Sequence, residues 1–135
     1  MITEDYVSFE TAKLLKEKGF DSLLTTCYTD EEFPVFMDCV DYLEQGELYE
    51  RSYGCNCHLI QAPSLAMAMR WLREVHGIFI EVNCNCNNLE LTCTISKVEE
   101  DFGDKVYENV GFYFQTYSYE EAVEAALKYC LEKLI

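Results

Sequence analysis

The sequence predicts an α+β fold, a mostly antiparallel β-sheet carrying three helices, and three observations predict it. Helical amphipathic periodicity occurs at three separate places, about residues 8–18, 64–76 and 118–134. Between the second and third of these, apolar and polar residues alternate through two runs joined by Asn87-Asn88. The chain of 135 residues is long enough to bury a core as a single domain.

The first helix is expected from Ser8 to Lys18. Ser8 can accept from free amides of the first turn, Val7 precedes it as an apolar staple, and Gly19 suits a left-handed exit. Thr11, Ala12 and Leu15 define its inner stripe, while Lys13 and Glu17 face water. Leu23–Tyr28 and Phe33–Asp38 read as extended runs around the acidic turn Asp30-Glu31-Glu32, and residues 39–53 fit either a short helix or an irregular excursion. Pro63 suits the first turn of a helix that runs from Ser64 to His76 and stops at Gly77. Its inner face carries Leu65, Met69, Leu72 and His76, with Ala68 and Val75 beside them. The alternating runs Ile78–Cys86 and Leu89–Ser96 then form a hairpin in which Cys86 faces Leu89, Cys84 faces Leu91 and Val82 faces Cys93. Residues 99–105 read as an acidic loop and Val106–Tyr117 as a further strand. Ser118-Tyr119-Glu120-Glu121 is a capping box for the last helix, whose stripe is Val123, Leu127, Cys130 and Leu134.

Charge narrows the functional classes. The net charge is −15, from 25 Asp and Glu against 10 Lys and Arg. Such a surface repels phosphate backbones and anionic membranes, and attracts a basic partner or a groove that normally holds nucleic acid. No apolar run reaches bilayer length, and the start, Met1-Ile2-Thr3-Glu4-Asp5, is acidic where a secretory signal is basic, so a cytoplasmic protein is expected.

The chemistry-bearing candidates begin with two copies of one triplet, Cys55-Asn56-Cys57 (followed by His58) and Cys84-Asn85-Cys86. Four thiols and an imidazole can hold zinc if the two triplets are neighbours in a sheet. Residues i and i+2 of a strand, however, are roughly 6.5–7 Å apart along it, and alternation sets Cys84 and Cys86 on the apolar face, where thiols serve as small hydrophobes. The expectation is therefore buried structural thiols and no cofactor, with zinc or redox chemistry as the alternatives. A Cys57–His58 nucleophile is disfavoured because adjacent strand residues point to opposite faces. His76 falls at a helix C-terminus on the apolar side, where the dipole favours a cation or a capping hydrogen bond, and a satisfied structural histidine is expected there over a catalytic one. Phosphate-binding loops, nucleophile elbows and HExxH are absent from the sequence, so no catalytic residue is assigned.

Asp38, Asp41, Glu44, Glu47 and Glu50 recur every three residues with no basic residue interposed at that spacing. They read either as a solvated face or as a carboxylate ladder that imitates a phosphate backbone. Met67 and Trp71, four apart on a flank of the second helix, either touch another layer of the domain or form a patch for a partner.

Three segments carry a resemblance: Ser8-Phe9-Glu10 with Ala12-Lys13-Leu14-Leu15-Lys16-Glu17-Lys18-Gly19-Phe20, then Ala62 to Ile78, then Ser118 to Ile135. Together they resemble a family of small uncharacterised proteins of gut Bacteroidales and their phages or mobile elements. The likeness covers the three helices, about a third of the chain. It implies a shared helical frame, a cytosolic setting and loops free to differ. No activity or site carries over with it, because the matching positions are caps, stripes and turns.

The functional expectation is a non-enzymatic accessory protein of phage or mobile-element type that binds a host protein, as a counter-defence inhibitor does. The ladder and the Met67/Trp71 flank would make the contact. The alternative is a small-molecule or nucleotide binder lined by Tyr28, Tyr53, Tyr107, Tyr113 and Tyr117, with Arg51, Arg70, Arg73 or Lys97 gathered to meet an anion.

Overall fold

The computed structural model describes residues 5–21, 26–28, 34–36 and 60–135. The fold is α+β, with three helices and antiparallel sheets among the described residues. Contacts divide the chain into two units, one of residues 6–64 and one of residues 1–5 with 65–135.

In the first unit Phe9–Glu17 forms α1, one residue shorter at each end than expected, with Ser8 as its cap. The Ser8 hydroxyl accepts from the Thr11 amide at 3.2 Å, and Gly19 takes φ +96° just past the end. The predicted stripe of Thr11, Ala12 and Leu15 is fully buried. Three short strands, β1 (Thr26–Tyr28), β2 (Pro34–Phe36) and β3 (Ile60–Gln61), pair antiparallel in the order β2-β1-β3. Tyr28 joins this sheet to the chain ahead of α1: its hydroxyl donates to the Val7 carbonyl at 2.6 Å and its ring meets Phe9 edge-on. Tyr6 bridges to Ser64, and the Val7 amide donates to the Pro63 carbonyl at 3.0 Å. Residues 63 and 64 are used in that bridge, so the next helix starts at Leu65 and not at Ser64.

The second unit holds α2 (Leu65–His76), β4 (Ile78–Cys84), β5 (Leu91–Asp101), β6 (Asp104–Thr116) and α3 (Tyr119–Tyr129), which continues as a π-helical turn over Cys130–Leu134. The sheet runs β4-β5-β6, antiparallel throughout. α3 packs on all three strands, and α2 packs on β4 and α3. The core is built from Ala68, Leu72, Ile78, Cys93, Ile95, Val123, Ala126, Leu127, Cys130 and Leu131, each fully buried. Burying a side chain the size of Leu or Ile contributes about 1.5–3 kcal/mol.

Four expectations need correction. On α2, burial stops at Leu72: Val75 is 59% exposed, and Met69 and His76 are only half-buried. On α3, Leu134, expected in the inner stripe, is only half-buried in the π-helical last turn, while Leu131, one α-helical turn after Leu127, is fully buried. The capping box is half formed: Ser118 accepts from the Glu121 amide at 3.3 Å, but the Glu121 carboxylate accepts from the Thr116 hydroxyl at 2.8 Å instead of reaching back to the Ser118 amide. Finally, residues 99–105 are not a loop. β5 and β6 run through them and turn tightly at Phe102-Gly103, with Asp101 opposite Asp104.

Candidate interaction surface

The cysteines divide by environment. Cys93 and Cys130 lie in the core, as expected of structural thiols. Burial pushes Cys93 up to about 11, and burial with the nearby Cys93 pushes Cys130 up to about 12, so both stay protonated and unreactive at neutral pH. Cys84 and Cys86 are exposed, against expectation. The predicted pairs Cys84–Leu91 and Val82–Cys93 form, but β4 ends at Cys84 and the connection spans residues 85–90. Asn85 and Asn88 close that connection, each accepting at 3.0 Å from the amide two residues on, while Leu89 adopts φ +59°. Cys86 therefore sits in the turn and does not pair with Leu89.

Among the described residues, no three Cys, His, Asp or Glu side chains gather as a metal site would need. Cys55, Cys57 and His58 lie outside the described residues, as do Asp38, Asp41, Glu44, Glu47 and Glu50 of the acidic ladder, together with Arg51 and Tyr53.

On α2, Met67 is 40% exposed and Trp71 is half-buried. The Trp71 ring packs edge-on to His76, with centroids 4.7 Å apart. The His76 Nε2 is buried with no hydrogen-bond partner among the described residues. Burial first, and the Lys97 cation second, lower its pKa, which favours the neutral imidazole over the cation that was one of the two roles expected at this helix end. Tyr28 is committed to its core, whereas Tyr107, Tyr113 and Tyr117 are exposed. Arg70 is engaged by Glu74 at 2.8 Å.

The feature that sequence reasoning missed is the outer half of the β5–β6 hairpin. Thr94 pairs with Tyr113 but Ser96 pairs with Asn109, so Ile95 alone faces residues 110–112. This bulge is built on Gly111, whose φ is +80° and whose amide donates to the Asn109 side chain at 2.8 Å. Beyond it, every residue from 99 to 109 is exposed. Phe102 at the tip is fully exposed and holds φ +51°. Residues 97–109 carry five carboxylates against two lysines, and Lys97 is already near Glu99 at 3.5 Å. The readable signal was Gly103 as the second residue of a two-residue break between the polar stretches 99–101 and 104–105.

No family model, curated protein or solved structure matches this chain in comparison.

Proposed function

We propose that this is a non-enzymatic binding protein whose acidic surface meets a basic protein partner. The observation that carries this reading is where the negative charge lies. Every Asp and Glu among the described residues is exposed or half-buried and none is buried, in a chain of net charge −15. A field of that sign raises the encounter rate with a cationic surface and repels nucleic acid and anionic lipid. The thiols with raised pKa and the lowered imidazole lie in packed surroundings that favour structural roles. The likeness of the three helices to small proteins of Bacteroidales phages and mobile elements adds the setting: the partner is a host protein, and occupying its basic site would inhibit it.

The test is affinity capture from a Bacteroidales lysate at low salt, followed by reconstitution with the captured protein in purified form. A basic partner whose affinity falls as salt rises is the expected result. Capture of nothing above background at low salt overturns the reading.

A further inference from the structure

We infer that the outer β5–β6 hairpin is the contact arm of this protein, with Phe102 as its anchor, and that its partner presents a basic amphipathic helix. The inference rests on the binding role proposed above and names the element and the chemistry recognised.

Phe102 contributes nothing to the core. It is 101% exposed, at the tip of a ribbon whose residues 99–109 are all exposed. Its backbone also runs against folding preference. Phe102 and Gly103 take φ +51° and +86°, values that a two-residue hairpin turn meets most readily with Asn or Asp followed by Gly. A bulky L residue is uncommon in the left-handed region. A fully exposed ring is also the kind of group that anchors an interface by filling a pocket on a partner.

The surroundings of the ring select the partner. Asp101 and Asp104 face each other across the Phe102-Gly103 turn with no cation opposite them, whereas further along the ribbon Glu100 lies opposite Lys105 and Glu108 opposite Lys97, so the unbalanced negative charge is concentrated at the tip. An apolar tip in an acidic collar complements an apolar stripe bordered by Lys and Arg, which is the surface of a basic amphipathic helix. The bulge at residues 110–112 interrupts the β6 edge, so strand addition along that edge is disfavoured and the tip is left as the contact.

The probe is a labelled synthetic helix of Leu and Lys with one apolar stripe, followed by fluorescence anisotropy. A scrambled peptide of the same composition and phosphatidylcholine vesicles serve as controls. The wild-type chain should bind the amphipathic peptide, prefer it to the scrambled one, and lose affinity as NaCl rises from about 0.05 to about 0.5 M. Phe102→Asn should weaken binding about tenfold or more while leaving the melting temperature unchanged or higher, since Asn-Gly suits the turn. If Phe102→Gly behaves the same way, the loss belongs to the ring and not to Asn. Equal binding by wild type and Phe102→Asn overturns the arm and leaves the acidic-surface reading standing. Absence of wild-type binding to the peptide also overturns the inference, with lysate capture still deciding the broader function. Phe102-dependent binding to the neutral vesicles would make the tip a membrane anchor and overturn it too.

Discussion

At Gly77 the chain passes from α2 into β4 with φ at +65°, and a Cβ placed there would lie 3.0 Å from the Val98 carbonyl oxygen. The Val98 amide in turn donates to the Gly77 carbonyl at 2.8 Å, so this residue ties the helix stop to β5. Gly77→Ala meets both a strained dihedral and a backbone atom that cannot step aside. It should cost about 2 kcal/mol or more, read as a lower denaturation midpoint at unchanged slope. Gly19→Ala, with φ +96° but open space around its Cβ, should cost about 1 kcal/mol. His76 makes a second prediction at this scale. Its folded pKa lies below the value of 6.5 that applies in the unfolded chain. Unfolding therefore takes up a proton between those two values, and the contribution is present above pH 6.5 and lost as pH falls through the window. His76→Phe keeps a ring against Trp71 and removes the titration. The stability difference between the variants should change with pH just below 6.5 and level off at more acidic values, as measured by urea unfolding across that range.

The elements differ in how far they could be read from sequence. α1, α2 and α3 were legible because caps and a 3.6-residue stripe are local signals, and the inner half of the hairpin was legible because alternation fixes which residues oppose one another. What alternation cannot fix is how far the covering layer extends. Cys84 shares a strand face with Val82, yet it is exposed at the end of β4. The outer arm escaped notice for a related reason: a ribbon exposed on both faces has no apolar side, so its strands resemble a charged loop. The π-helical turn is a third case, since nothing in residues 130–134 announces i→i+5 bonding. It has a measurable consequence. Leu131 is fully buried and Leu134 only half-buried, so Leu131→Ala should cost about 2–5 kcal/mol and Leu134→Ala much less. A regular α-helix with the stripe 123, 127, 130 and 134 predicts a large cost at Leu134 as well, and paired denaturant curves would separate the two.

For the molecule as a whole, charge sets the behaviour. A chain of net charge −15 repels itself in its compact state, because folding brings carboxylates closer together than the unfolded chain holds them. Cations screen that repulsion within a Debye length of about 10 Å at 0.1 M salt, so added NaCl should raise the melting temperature. The same ions screen attraction between the acidic surface and a basic partner, so affinity should fall over the same range. Those opposite signs are diagnostic. A contact held by apolar burial alone would keep or gain affinity as salt rises, and a fold held by surface ion pairs would lose stability. Melting curves and binding isotherms on one salt series test both halves together. A melting temperature that falls with NaCl would show that attractive pairs, such as Arg70 with Glu74 and Lys97 with Glu99, outweigh the surplus of like charge.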